Sequence, residues 1–152
     1  MLSNYHVLVR LLLATLLGGF IGFEREAHGR AAGLRTHILV CLGSALIMMT
    51  SMYIFEIYKG VAVVDPSRIA AQVVTGIGFL GAGTILRWGA TVKGLTTAAS
   101  IWAVAAIGLA IGCGFYFAAI TSTVLVVTAL VVFSKMELAF SLKGDKKGGH
   151  EK

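Results

Sequence analysis

The stretch GFEREAHGRAAGLRTH, residues 22–37, places seven ionisable side chains between two almost purely apolar segments. The chain of 152 residues is 57% hydrophobic and only 13% charged. Soluble domains are about 45–50% apolar and about 25% charged. The chain also has one proline and 19 glycines, and glycine is frequent in membrane helices. We therefore interpret the charged stretch as a connection between two membrane-spanning helices of a single domain.

Five apolar runs surround and follow this connection, and each is long enough to cross the hydrocarbon core, which takes about 17–25 helical residues. The pattern predicts an all-α integral membrane protein, a bundle of five transmembrane helices. The predicted helices cover residues 7–23, 36–55, 69–86, 95–112 and 115–133. Residues 1–133 would form this transmembrane domain. Residues 134–152 would form a short basic tail, largely disordered from about residue 143.

The distribution of lysine and arginine predicts the orientation, because cytoplasmic connections carry an excess of positive charge. Ten of these residues lie in the first connection, the third connection and the tail, and three lie at the other end of the predicted helices. The N-terminus is therefore predicted outside and the C-terminus in the cytoplasm. The net charge of +6 has the same origin, and the chain has no basic stripe with interleaved aromatic residues, so we expect no nucleic-acid partner.

A polar cluster is predicted at the outer end of the bundle. Arg10 lies in the first helix near this end, where a charge is usually paired or exposed to water. Asp65 and Pro66 are typical of a helix start, and Arg68 and Gln72 are one helical turn apart. We expect these residues, Pro66 excepted, to lie together. The alternative for Arg10 is that its side chain snorkels to the outer surface.

A cytoplasmic charge network is predicted at the opposite end. Two glutamates end the first helix, and several arginines lie in the connections on the same side. Opposite charges this close could pair, and the alternative is a set of solvated charges at the level of the headgroups. The predicted network comprises Glu24, Arg25, Glu26, Arg35 and Arg87.

Glycines are predicted to let the helices pack closely, because small residues dominate helix contacts in lipid. The string GIGFLG at 76–81 also matches a dinucleotide fingerprint, but that site needs a strand before it and a βαβ unit around it. The third helix is richest in glycine, so it is the most prone to unwind and line a cavity. The predicted packing residues are Gly18, Gly22, Gly76, Gly78, Gly81 and Gly83, with GxxxG spacing also at 108–112. Gly94, Thr96 and Thr97 form a helix-start motif in which the hydroxyls could cap the fourth helix.

The sequence contains no recognisable catalytic or metal-binding constellation. It has no Walker A string, no aspartyl-phosphate motif and no His/Cys metal set. Its carboxylates avoid the predicted mid-plane of the bilayer, where a coupled carrier usually places one. We therefore expect a protein that is not an enzyme and has no cofactor or metal site. Cys41 and Cys113 are predicted near opposite surfaces, too far apart to form a disulfide.

Four ordered blocks carry a resemblance to a known family: GGFIGFERE (18–26), GLRTH (33–37), DPSRIAAQVVTGIGFLGAG (65–83) and KGLTTAASIW (93–102). With these blocks the chain resembles the MgtC/SapB family of bacterial inner-membrane proteins over nearly all of residues 7–133. The resemblance implies a multi-pass domain of five helices with a cytoplasmic C-terminus in the inner membrane. Relatives of the MgtC type carry a soluble ACT-like C-terminal domain, and this chain is expected to be a short form without it.

The resemblance also implies a function. It suggests ion (magnesium or proton) homeostasis or stress and virulence adaptation, exerted by binding another membrane protein such as ATP synthase. The alternative is permeation or transport of Mg²⁺ or another small ion through the helix bundle. Membrane lipid is an expected partner, and the small-residue helix faces make a homo-oligomer a further expectation.

Overall fold

The computed structural model of the protein describes residues 3–145, with side chains described from residue 3 to residue 134. Within this range the prediction of a mostly helical chain with five helices is confirmed. The helices are α1 (Asn4–Ala27), α2 (Leu34–Tyr58), α3 (Ser67–Ala82), α4 (Leu95–Cys113) and α5 (Tyr116–Asp145). The disorder predicted from about residue 143 lies almost wholly outside the described residues.

Four of the helices are long and apolar enough to cross a membrane: α1, α2, α4 and the segment Tyr116–Ser134 of α5. Helix α3 has only 16 residues, about 24 Å at 1.5 Å per residue, and it ends before the predicted boundary at residue 86. Its last turn is closed by the Thr84 hydroxyl, which donates to the carbonyl of Gly81 at 2.8 Å. The glycines that precede this turn lower helix propensity, so the chain leaves the helix here at little cost.

A short antiparallel hairpin, absent from the sequence-based prediction, follows α3. Strand β1 (Leu86–Trp88) pairs with β2 (Thr91–Lys93), and Gly89 in the connecting turn has φ +58°. The hairpin ends at Gly94, whose φ of +91° favours glycine, and a Cβ there would collide with the carbonyl oxygen of Thr84. The backbone path between α3 and α4 thus requires glycine at position 94.

Helices α1, α2 and α4 form the centre of the bundle through glycine contacts. Gly18 and Gly22 of α1 lie against the first turns of α2, where His37 contacts both. Gly108 lies against Cys41, and Gly112 lies against Ala45. The residue numbers of these contacts increase together in α4 and α2, so α4 runs parallel to α2. In the contacts of α1 with α2 they change in opposite directions, from Gly18 with Cys41 to Gly22 with Leu34, so α1 runs antiparallel to α2. The apolar core between these helices and α5 comprises Ala14, Leu17, Ile21, Cys41, Ala45, Val104, Ile107, Ile111 and Ala119.

Helix α3 lies on the flank of this core. Its residues Val73 and Ile77 pack with Ile101 and Ala105 of α4. Near its start, the Ser51 hydroxyl of α2 donates to the carbonyl of Pro66 at 2.6 Å, and near its end Gly81 lies against Ala98. Helix α3 therefore runs antiparallel to α2 and α4. It connects the end of the bundle that holds Arg10 and Tyr116, the Arg10 end, with the end that holds Arg25 and His37, the Arg25 end.

Candidate functional site

A buried ion pair lies in the last turns of α1, at the Arg25 end. Arg25 is 1% exposed and Glu24 is 7% exposed. Arg25 Nη2 donates to Glu24 Oε1 at 2.8 Å, and Arg25 Nε donates to Glu24 Oε2. This two-point geometry is the arrangement in which a guanidinium and a carboxylate interact most strongly. It compensates two charges that burial would otherwise make very costly.

The other α1 glutamate has a different role. The Glu26 carboxylate accepts a hydrogen bond from the backbone N–H of Leu34 at 2.8 Å, so it caps the start of α2 from the preceding helix. Gly33 leaves room for this carboxylate, because a Cβ at that position would lie 2.8 Å from Glu26 Oε2. His28 contacts Glu24 instead, with Nδ1 3.1 Å from Oε1.

The two remaining members of the predicted network are not joined to these glutamates in the described structure. Arg35 is exposed on the first turn of α2. Arg87 lies on strand β1 rather than at the end of α3, and its Nε donates to the carbonyl of Gly89 at 3.2 Å. Of the expected network, the described contacts join only Glu24 and Arg25, since Arg87 bonds within the unpredicted hairpin and Arg35 is exposed.

His37 is a buried polar residue that the sequence analysis did not select. It is 0% exposed, and its Nδ1 lies 2.8 Å from the carbonyl oxygen of Gly33. Its Nε2 lies 2.9 Å from the hydroxyl of Ser100 on α4, which also lies 2.8 Å from the carbonyl oxygen of Thr97. Because Nδ1 faces a carbonyl oxygen, it must carry a proton. The residues are 63 positions apart, so no local pattern could have paired them.

Together these residues make the Arg25 end a polar site in an otherwise apolar bundle. The Glu26 cap ties the end of α1 to the start of α2, and the His37–Ser100 contact ties the start of α2 to the start of α4, while the ion pair lies within α1. The contacts are specific and fully hydrogen-bonded, since no buried polar side-chain atom in the described residues lacks a partner. Such networks fix one arrangement of helix ends, and they would transmit a displacement of one helix to the others.

At the opposite end, Arg10 is directed into the bundle. It is 8% exposed, and its Nη1 and Nε donate to the carbonyl of Gly112 at 2.6 Å and to the hydroxyl of Tyr116 at 2.9 Å. It therefore binds a carbonyl at the C-terminus of α4, where the helix dipole favours a cation. The described hydrogen bonds and ion pairs do not join Arg10 to Asp65, Arg68 or Gln72, so the structure does not assemble the predicted outer cluster.

The other outer residues keep local roles. Asp65 Oδ1 accepts a hydrogen bond from the backbone N–H of Ser67 at 2.8 Å, as expected for a residue that starts α3. Hydrogen bonds from the side chain and the backbone of Ser67 hold the pKa of the Asp65 carboxyl below its usual value, so the carboxylate stays ionised to lower pH. Arg68 is exposed, whereas Gln72 lines a groove between α2 and α3.

The predicted packing glycines occupy three kinds of position. Gly18, Gly22 and Gly81 lie against neighbouring helices, and Gly83 ends α3. Gly76 and Gly78 lie on the open side of α3, where a Cβ would meet no atom within 4 Å. In the fourth-helix motif Thr97 is buried and Thr96 is exposed. Gly94 occupies the N-cap position, and the start of α4 has no side-chain cap hydrogen bond in the described structure.

A groove lies between α2 and α3, in the flank of the bundle that α3 forms. It has a volume of about 490 Å³. Gly43 of α2 and Gly76 of α3 form part of its lining, and both lack a neighbour within 4 Å of a Cβ position. Ser44 and Gln72 are its polar lining residues. Within residues 3–134, no group of three or more His, Cys, Asp and Glu side chains is placed to hold a metal ion. Cys41 and Cys113 are free thiols.

Comparison with known proteins identifies clear relatives. The model of the MgtC family matches residues 11–139. Escherichia coli K12 has a protein named putative magnesium transporter YhiD that is 50% identical over 131 residues, 85% of this chain and 61% of that protein. Protein MgtC of Salmonella typhimurium 14028s is 41% identical over 145 residues, 92% of this chain and 60% of that protein. The chain spans about three fifths of the length of these relatives. No solved structure gives a significant match.

Proposed function

Because the chain belongs to the MgtC family, we propose that it is a non-enzymatic protein of the bacterial inner membrane that acts in magnesium or proton homeostasis by binding another membrane protein. The relative named putative magnesium transporter and the relatives named MgtC support the connection with magnesium. ATP synthase is the candidate partner that the family resemblance suggests. The contrast between a closed helix core and an open helix flank supports binding as the mode of action.

The closed part of the bundle is the contact between α2 and α4. A Cβ at Gly112 would lie 2.5 Å from the carbonyl oxygen of Ala45, so the two backbones leave no space between them. Gly18 and Gly22 close the contact between α1 and α2 in the same way. Three of the four long helices thus form a closely packed scaffold.

The open part is the groove between α2 and α3, and the proposal of partner binding rests on this groove. A glycine in a helix costs about 1 kcal/mol relative to alanine, and a helix contact in lipid is the usual compensation. In the part of the chain that the structure describes, a Cβ at Gly43, Gly76 or Gly78 would meet no atom within 4 Å. A helix of a partner protein seated in the groove would supply such a contact, since small residues let the two backbones approach.

A photoreactive phenylalanine analogue at Leu80 tests this groove. Leu80 lines the groove and is 50% exposed. We expect irradiation of cells to form a defined adduct with one membrane protein, identified by mass spectrometry, and we expect Gly76→Leu to reduce the adduct at least several-fold by filling the groove. Leu125 on α5 is 63% exposed and is the matched control position, which should give no such adduct.

Two outcomes would contradict partner binding. Adducts of equal yield at Leu80 and Leu125, insensitive to Gly76→Leu, would show that the groove has no particular occupant. A Mg²⁺ flux in reconstituted vesicles that Gln72→Leu abolishes, without any adduct, would instead support the alternative of permeation. That alternative is favoured by the name of the Escherichia coli relative and by the two polar residues in the groove.

The proposed orientation places the N-terminus outside and the C-terminus in the cytoplasm, with α3 as a fifth crossing. It is supported by the parallel course of α2 and α4, because the chain between them must return from the Arg10 end to the Arg25 end. Most lysines and arginines of the connections lie at the Arg25 end, and cytoplasmic connections carry such an excess.

Cysteine labelling tests this orientation. In a Cys113→Ser background, a cysteine in place of the exposed Ala31 should react only with a reagent that enters the cytoplasm. A cysteine in place of the exposed Ala62, between α2 and α3, should react with a reagent confined to the periplasm. The opposite pattern would reverse the orientation, and labelling of both from one side would show that α2 does not cross.

A further inference from the structure

The hairpin between α3 and α4 exposes large apolar side chains. Trp88 is 91% exposed, Leu86 is 71% exposed and Val92 is 44% exposed. The register pairs Leu86 with Lys93 and Trp88 with Thr91, so these four side chains share one face of the hairpin, whereas Arg87 and Val92 start from the other face. Within residues 3–134 these aromatic and aliphatic side chains have no core to pack into, and an apolar surface of this size is typical of a binding site.

The position of the hairpin restricts what can cover it. It joins the end of α3 to the start of α4, so it lies at the Arg25 end, where the apolar helices meet the membrane surface. A two-stranded hairpin leaves the outer edge of each strand unpaired, and such edges are not tolerated in hydrocarbon. The headgroup interface provides hydrogen bonds for these edges and an apolar boundary for tryptophan, which is enriched there.

Charge and shape then select the occupant. A cavity of about 490 Å³ is lined by Leu86, Arg87, Trp88, Thr91 and Lys93. Arg87 and Lys93 form no ion pair with a described carboxylate, and among the hydrogen bonds of the described residues only the Nε of Arg87 is engaged, by the Gly89 carbonyl. Two cations beside a leucine and a tryptophan match an amphiphile that has an anionic head and an apolar body.

We propose that this hairpin binds an anionic phospholipid, with its phosphate at Lys93, its glycerol and upper acyl region against Leu86 and Trp88 on the same face, and Arg87, which lines the same cavity, as a second cation. The site is independent of the α2–α3 groove and of any protein partner. It goes beyond the proposed function, because occupancy of the hairpin between α3 and α4 would depend on the lipid composition of the surrounding leaflet.

The two tryptophans of the chain allow a direct test in vesicles. Trp102→Phe leaves Trp88 as the sole fluorophore, and Trp88→Phe leaves Trp102, which lies about 10 Å further along α4 from its start. In the full chain reconstituted with brominated lipids, we expect Trp88 to be quenched more by bromine near the glycerol than by bromine near the chain end. Trp102, which is 54% exposed, should show the reverse order.

Lipid class is tested with the same Trp88 reporter. Brominated phosphatidylglycerol should quench Trp88 at least twofold more than brominated phosphatidylcholine at equal content, and Arg87→Gln with Lys93→Gln should abolish this difference. Lys59→Gln, a surface cation between α2 and α3, is the control and should leave the difference unchanged. Equal quenching by the two lipids, or a difference that survives the double substitution, would overturn the proposal.

Two further measurements test whether the hairpin binds a free phosphate or lies in water instead of binding a lipid. If inorganic phosphate removes the phosphatidylglycerol preference and sulfate of equal ionic strength does not, the site binds a free phosphate and the lipid assignment fails. If Trp88 emits as in water and is fully accessible to acrylamide, the hairpin is not at the interface and the proposal fails. Neither result bears on photocrosslinking in the α2–α3 groove.

Discussion

Glu24→Ala is expected to lower the free energy of unfolding by about 3–5 kcal/mol, because it leaves a buried guanidinium without its counter-charge. Arg25 is 1% exposed, and two of its nitrogens donate to the carboxylate that the substitution removes. Reversible unfolding in mixed detergent micelles, followed by circular dichroism, would measure the loss. The same substitution at Glu26, an exposed residue that caps α2, should cost only about 1 kcal/mol.

A double substitution separates the loss of the pair from damage to the fold. Glu24→Leu with Arg25→Met removes both charges and fills a similar volume, and replacing buried ion pairs in this way is often neutral or stabilising. We expect the double variant to recover most of the stability that Glu24→Ala loses. If Glu24→Ala is as stable as the unsubstituted protein, the Arg25 guanidinium is solvated rather than buried, and the pair does not organise the Arg25 end.

The second large effect is expected from glycine at the α2–α4 contact. Gly112→Ala should destabilise the bundle by about 1–3 kcal/mol or more, because its Cβ would lie 2.5 Å from the Ala45 carbonyl oxygen and 2.6 Å from Met48 Cβ. Gly76→Ala makes the same chemical change in α3. No described atom lies within 4 Å of the added Cβ there, so this substitution should stabilise the protein by about 0.5–1 kcal/mol.

The two substitutions should change the free energy of unfolding in opposite directions, and this difference is the result that tests the packing. Both glycines belong to α-helices, so helix propensity alone predicts stabilisation at both positions. Unfolding measurements in the same detergent would compare the two variants directly. A gain of stability at Gly112 would mean that α2 and α4 are further apart than described, and a loss at Gly76 would mean that the open side of α3 is already covered, for example by a second copy of the chain.

The helices themselves could be predicted from sequence because their cause is local. Long apolar runs must form helices in lipid, where each backbone polar group needs a partner within its own segment. The predicted and observed starts of α4 coincide at Leu95, and those of α5 differ by one residue. The end of α3 was placed too late, because glycine and threonine between residues 81 and 84 are compatible with both a helix and its termination. The hairpin was missed for the same reason.

The contacts of the candidate site required long-range information. Arg10 meets Gly112 across 102 positions, and His37 meets Ser100 across 63. The sequence showed that these side chains were polar residues in or beside apolar runs, yet several oppositely charged or hydrogen-bonding partners were available to each. Only the packed backbones decided among them, by placing Gly112 beside Arg10 and moving Arg87 to the hairpin.

The lengths of the apolar runs by themselves determined that this chain forms a bundle of membrane helices. The residue types determined which charged side chains lie in or beside those helices, where burial of a charge is costly. The tertiary structure alone decided which helices touch, which glycines are covered and which carboxylate faces which cation. The physical reason is that hydrophobic transfer depends on each segment's own composition, whereas ion pairs and close backbone contacts depend on a few ångströms between residues far apart in the chain.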